Sequence, residues 1–302
     1  MRIAVRDHQN KSAGLVKAIR ERGKHQIVEV GHFADMLLID HDVTLYYKNI
    51  IERYKTADAK IVLYPHGATA HLAWDGVWPI DSRVDAYLAQ SNGQAEVMQT
   101  YGYPNPIHVT GWHWCEQKRF KETEPERKTV LFAPIHPQNS GFIYSKVKDL
   151  TRKVLDQLYA LEDFDITVRY VGDIEDNRLD DYSGINFVKG FKDNSIEDID
   201  KADLVVSFGT FAYLAIARGT PTIMYRQGIP YFDGHSEDSV RYATHWNLYK
   251  DFMRYPYDIE DKPDIGKVMN NEKSIKDWKS NFIGEQINPD VLDDILEGIY
   301  HA

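Results

Sequence analysis

The stretch that most constrains this chain runs from Ala202 to Tyr225: Ala-Asp-Leu-Val-Val-Ser-Phe-Gly-Thr-Phe-Ala-Tyr-Leu-Ala-Ile-Ala-Arg-Gly-Thr-Pro-Thr-Ile-Met-Tyr. Leu204 to Val206 is a short apolar, β-branched run that reads as a buried strand. Thr210 to Arg218 has helix-forming composition and stops at Gly219, and Thr222 to Tyr225 reads as a second strand. Ser207, Gly209 and Thr210 therefore fall at the carboxyl end of a strand, where open α/β sheets bind ligands. The free N–H groups of a helix start also suit a phosphate. A β-α-β crossover with no ligand would use the same residues.

The rest of the chain repeats this alternation. Arg2–Val5 is a strand, Ser12–Arg22 a basic amphipathic helix with Ser12 as N-cap and Gly23 as stop, and Gln26–Val30 the next strand. Asp42–Tyr54 reads as helix, and Lys60–Tyr64 as a strand broken at Pro65-His66-Gly67. A strand from Val84 to Gln90, a helix over Gly93–Tyr101 and a strand at Ile107–Thr110 follow. A charge-dense run, Lys118 to Lys128, contains Pro125 and almost nothing to bury, which marks a linker. The alternation then restarts with Thr129–Ala133, Tyr144–Leu161, Asp165–Val171 and Ile185–Val188. It closes on Asn288–Tyr300, whose Asn-Pro-Asp start suits a capped helix. The expected class is α/β, with two mainly parallel sheets covered on both faces. The expected divisions are a first Rossmann-like domain over 1–120, a linker over 121–128, a second over 129–285 and a C-terminal helix over 286–302. Two such domains are expected to face each other across a cleft at the carboxyl ends of their sheets.

Length and charge narrow the function classes. At 302 residues the chain suffices for two domains. It contains no apolar run of the ~20 residues that a spanning helix needs. Its only cysteine, Cys115, cannot form an intramolecular disulfide, which fits a reducing compartment: the cytoplasm, or the host cytoplasm for a phage-encoded chain. The net charge of −10 is uneven: residues 1–125 hold 15 basic and 15 acidic residues, and the remainder holds 21 and 31. An acidic half argues against wrapping nucleic acid, whereas the seven basic residues among the first 24 suit an anionic partner. The 12 histidines show no metal-binding spacing, and no P-loop is present, so no metal and no cofactor are expected.

Three segments carry a resemblance: Val130–Gly141 (Val-Leu-Phe-Ala-Pro-Ile-His-Pro-Gln-Asn-Ser-Gly), Ser207–Pro221 and Ser91–Gly111. They resemble the GT-B glycosyltransferases, in which two Rossmann-like domains face each other and the second binds a nucleotide-activated donor. With Pro65-His66-Gly67 they also resemble the CDP-glycerol glycerophosphotransferases, a branch that usually carries acidic and paired serine residues where this chain has Phe208, Gly209 and Thr210. The resemblance implies a GT-B fold and a C-terminal helix that crosses back.

Chemistry in such a cleft needs a diphosphate clamp, a base and an acceptor contact. Gly209 lets backbone approach closely, the Thr210 and Phe211 N–H groups open a helix, and the Ser207 and Thr210 hydroxyls add donors. His136 and Gln138 lie on the loop after the Val130–Ala133 strand, and Arg226, Arg218 and Arg169 are the basic candidates for the leaving diphosphate. The resemblance implies that these positions hold a nucleotide-sugar donor without a metal. His66, at a strand end between Pro65 and Gly67, is the first candidate for general base, ahead of Asp7 and His8 after the first strand. Trp74, Asp75, Trp78 and Trp112, with Ser12, are candidates for the acceptor, because exposed indoles stack on sugar rings or bases. The expected activity is transfer of a sugar to a hydroxyl, on a glycan or cell-surface polymer or on a modified DNA base. The alternatives are a glycerophosphotransferase, a nucleotide-sugar 2-epimerase and a non-catalytic nucleotide-sugar binder.

Overall fold

The computed structural model describes residues 1–6, 13–40, 45–64, 83–100, 103–112, 127–134, 144–170, 182–190, 195–207, 209–224, 255–270 and 272–302. They belong to two compact units: unit 1 is residues 1–116 with 280–302, and unit 2 is residues 117–279. Residues 280–285, which the sequence reading grouped with the second domain, belong to unit 1. Most of the expected linker lies outside the described residues.

Unit 1 is a six-stranded sheet of β1 (Arg2–Arg6), β2 (Gln26–Val28), β3 (Met36–Ile39), β4 (Lys60–Leu63), β5 (Ala86–Ala89) and β6 (Ile107–Val109). All pairs are parallel, in the order β2-β1-β3-β4-β5-β6. Helices α1 (Ala13–Arg22), α2 (Leu45–Thr56) and α3 (Asn92–Thr100) connect strands. The central strand β3 is one that the sequence reading passes over. Its four residues are apolar and wholly buried, so they show no in-out alternation. Met36 and Leu38 pack with Leu15 and Ile19 of α1 and with Leu292, Leu296 and Ile299 of the C-terminal helix (Pro289–His301). That helix begins as expected: Asn288 is the N-cap, accepting from the Asp290 N–H at 2.9 Å, and Pro289 takes the first turn.

Unit 2 is a five-stranded parallel sheet in the order β11-β10-β7-β8-β9. Its strands are β7 (Lys128–Ala133), β8 (Phe164–Tyr170), β9 (Asn186–Lys189), β10 (Leu204–Ser207) and β11 (Thr222–Met224). The helices are α4 (Tyr144–Tyr159), α5 (Ser195–Lys201) and α6 (Gly209–Ala217). Val130, Phe132, Val168, Leu204 and Val206 form one core with Leu150, Val154 and Leu158 of α4. α6 packs against β10 and β11, with Ala212 to Ala217 buried. Each sheet is thus covered by helices.

An aspartate stands just before one strand and accepts the N–H of its neighbour at three places. Asp35 accepts from Arg2 N at 2.6 Å, Asp85 from Ile61 N at 2.7 Å and Asp203 from Thr129 N at 2.7 Å. Edge N–H groups that would otherwise lack a partner are satisfied there by carboxylates. The amino edges of both sheets are closed in this way.

Unit 1 is completed by the returning chain. A π-helical turn, Lys279–Ile283, leads to Gly284, which lies against the end of β5. The Gln90 side chain donates to Phe282 O at 2.8 Å, and Trp112 N–H donates to Glu285 O at 2.8 Å. Gly284 has φ +79°, and a Cβ there would overlap the Gln90 carbonyl oxygen. Substitution Gly284→Ala is expected to lower unfolding free energy by at least ~2 kcal/mol, combining left-handed strain with the clash, as measured by urea denaturation.

Candidate functional site

In unit 2, β8 and β9 lie on one side of β7 while β10 and β11 lie on the other, so the order of connection reverses between β7 and β10. In open α/β sheets this switch point opens a crevice at the carboxyl ends of the strands. Ala133 and Ser207 are paired there, and Ser207 Oγ donates to Ala133 O at 2.8 Å. The Ser207 side chain is buried, so its proton serves to join the two strand ends. Two residues later α6 begins at Gly209, and its first N–H groups have no partner within the helix. The backbone of Gly209, Thr210 and Phe211 thus forms the helix start that the sequence suggests, at the switch point of the sheet.

Arg169, near the end of β8, braces this helix. Its guanidinium lies 5.1 Å from the Phe211 ring centroid, Nε donates to Asp198 Oδ2 at 2.8 Å, and Nη2 donates to Ser195 Oγ at 2.9 Å. Gly190 lies against the same group, and a Cβ there would come within 2.6 Å of Arg169 Nη1. Arg169 therefore links β8, α5 and the first turn of α6. Arg218 corrects the sequence reading, which placed it among the groups facing diphosphate. It lies just beyond the far end of α6 and is buried against Asp200, with Nε to Oδ1 at 2.7 Å and Nη2 to Oδ2 at 2.6 Å. A nine-residue helix at ~1.5 Å per residue keeps it well away from Gly209.

Behind α6, Tyr213 stacks on Trp278 at 5.7 Å and 6°, and Tyr255 meets the same indole edge-on at 5.2 Å. Burial pushes both phenols far above the ordinary tyrosine range. Tyr255 is wholly buried, so its ring is core.

In unit 1 the strand order reverses between β1 and β3. Tyr64, which follows β4, reaches across this point and donates its hydroxyl proton to Arg6 O at 2.9 Å. Arg6 directly precedes Asp7 and His8 in sequence, and Tyr64 lies two residues before His66. Tyr64 is a residue that sequence reasoning missed. Its only signal was a polar-tipped aromatic at a strand end. Asp7, His8, Ser12, His66, Trp74, Asp75, Trp78, His136, Gln138 and Arg226 lie outside the described residues.

Two expectations for unit 1 change. Trp112 is wholly buried and its backbone bridges to Gln286, so it is not the exposed indole that the sequence suggested. The basic N-terminal segment is partly neutralised within the unit. Arg22 pairs with Asp290 at 2.7 Å, and Lys24 lies 2.7 Å from Asp293 and 3.7 Å from Glu297.

With this geometry established, comparison with known proteins gives the fold a name. No family model and no curated protein matches the sequence. The S. aureus MnaA–UDP co-structure superposes with a TM-score of 0.59 at 11% identity, covering 99% of this chain and 96% of that one. The fold is of the GT-B type. The wall teichoic acid polymerase TagF matches this GT-B chain with a TM-score of 0.57 at 11% identity, over 99% of this chain and 88% of that one. The spinosyn rhamnosyltransferase SpnG, complexed with thymidine diphosphate, gives 0.53 at 12% identity over 98% and 100%. At these identities the likeness is one of fold. Among the described residues of the GT-B chain, no helix is long and apolar enough to cross a membrane.

The buried phenols set an alkaline limit. The native state retains two protons that an unfolded chain releases above pH ~10, so stability holds below that pH and falls above it by ~1.4 kcal/mol per pH unit for each group. Urea unfolding between pH 9 and 11 should show this decline, and Tyr255→Phe should make it shallower.

Proposed function

We propose that this chain is a glycosyltransferase that moves a sugar from a nucleoside-diphosphate donor to a hydroxyl acceptor. The observation that carries the reading is the α6 start at the β7/β10 switch point, two residues beyond the Ser207–Ala133 link. A helix start at that location offers backbone N–H groups and a positive dipole end to a leaving diphosphate. Negative charge develops on that group as the glycosidic bond breaks, so fixed N–H donors stabilise the transition state more than the ground state. In this reading Gly209, Thr210 and Phe211 hold the diphosphate with no metal, and His136, Gln138 and Arg226 complete the donor site on unit 2. The Ser207 hydroxyl acts by holding two strand ends in register.

Unit 1 takes the acceptor. His66 removes the proton of the attacking hydroxyl, with Asp7 and His8 as the other candidates, and an imidazole near its ordinary pKa suits that work at neutral pH. If His66 is the base, attack on the face opposite the diphosphate inverts the anomeric centre. Trp74, Asp75, Trp78 and Ser12 are the remaining acceptor candidates. A glycan or cell-surface polymer is favoured over DNA, because Arg22 and Lys24 already have carboxylate partners and are less available to phosphates.

Thermal-shift measurements with UDP, GDP, CDP and dTDP and their sugar conjugates test the donor site, since a ligand of the native state raises its melting point. At least one should raise it, and Thr210→Glu should abolish that rise while leaving the ligand-free melting point within a few degrees. A chain that responds to none of them would overturn the reading. Transfer activity should fall by ~10² or more in His66→Ala. Saturable binding without turnover would identify a binding module, and interconversion of the donor with no acceptor present would identify an epimerase.

A further inference from the structure

The amino edge of unit 1 holds a group of side chains that the proposed transfer does not use. His25 lies between α1 and β2, and Asp293 and Glu297 stand one turn apart on the C-terminal helix. One ligand atom from each of the three lies within 4.8 Å of the others. His25 Nε2 is 2.6 Å from Asp293 Oδ1, and both side chains are almost wholly buried, at 3% and 2% exposure. The other imidazole nitrogen, Nδ1, is buried with no hydrogen-bond partner. Lys24 Nζ lies 2.7 Å from Asp293 Oδ2 and 3.7 Å from Glu297 Oε1. Lys24 and Glu297 are roughly half exposed, so the group opens to solvent on that side.

We propose that His25, Asp293 and Glu297 form a zinc site that ties the C-terminal helix to unit 1. The donor set is one imidazole and two carboxylates, the types that bind Zn²⁺ at ~2.0–2.2 Å, with water left to complete a tetrahedron on the open side. Asp293 and Glu297 are four apart on a helix and so project from one face, while His25 comes from a different element. A cation there would cross-link residues more than 260 positions apart in sequence.

A divalent ion in the place of the ammonium would still face two carboxylates, one of them on the buried Asp293. Lys24 is the competitor. Its ammonium occupies the carboxylates that an ion would use, and its exposure gives it room to swing outward. The imidazole and Asp293 must then part until their ligating atoms are ~3.4 Å apart, the spacing around a tetrahedral zinc, which side-chain rotation allows. The site lies at the amino edge, just before β2, whereas Asp7, His8 and His66 follow carboxyl ends of the same parallel sheet. It is therefore separate from the proposed transfer chemistry and does not depend on that reading.

The test uses the full chain stripped with a chelator and titrated with zinc chloride, followed by calorimetry and thermal melting. One equivalent should bind and raise the melting temperature, and a chelator should reverse the rise. His25→Ala should weaken binding at least tenfold, and Lys24→Met, which removes the competing ammonium, should tighten it. Far-UV circular dichroism checks that His25→Ala folds, and Glu297→Gln, at a half-exposed ligand, provides a second loss-of-ligand variant with the same expected weakening. Absence of equimolar binding, unchanged affinity in the folded ligand variants, or weaker binding in Lys24→Met would overturn the proposal and leave the group as an ion-pair cluster.

Discussion

All strands in each sheet run parallel, and the placement of the α6 start at a strand end depends on this. A parallel strand cannot be reached by a tight hairpin, so the chain must cross over between strands, and the crossover helices bury the sheet faces. All carboxyl ends of a sheet then lie along one edge. The candidate residues of the proposed transfer follow those ends in sequence, while the amino edge carries structural devices. Asp35, Asp85 and Asp203 show the division plainly, since each closes an amino edge by accepting the N–H of a neighbouring strand.

At the carboxyl edges, polar side chains act first as braces. Ser207 joins β10 to β7, and Tyr64 joins the segment after β4 to the end of β1. Arg169 holds Phe211, Ser195 and Asp198 around the first turn of α6. Each is a buried polar group with its hydrogen bonds committed, which is the condition for burying it without a large penalty. The α6 start offers backbone, and backbone N–H groups fixed by a packed helix need no reorganisation when charge develops.

The C-terminal segment shows a second organising effect. Backbone-to-backbone contact at Gly284 and Gln90 and the ion pairs of Arg22 and Lys24 attach residues 280–302 to a unit whose other part ends at residue 116. The same ion pairs reduce the anionic attraction that the basic N-terminal composition suggested.

The sequence alone determined the class and most of the element order. The strand-turn-helix-strand at Ala202–Tyr225, the restarted alternation and the Asn288-Pro289 helix start are local signals set by burial pattern, capping and backbone freedom. β3 escaped because a strand buried on both faces has no periodicity. Of the candidate site, the Gly209 helix start was legible, because strand-end and helix-start chemistry is written in neighbouring residues. The tertiary structure alone decided that Trp112 is core, that Arg218 belongs to Asp200, that Ser207 bonds to Ala133, and that His25 meets Asp293. Each of these depends on partners distant in sequence or on which side of an element faces inward, and a side chain's type states its bonding capacity but not its partner.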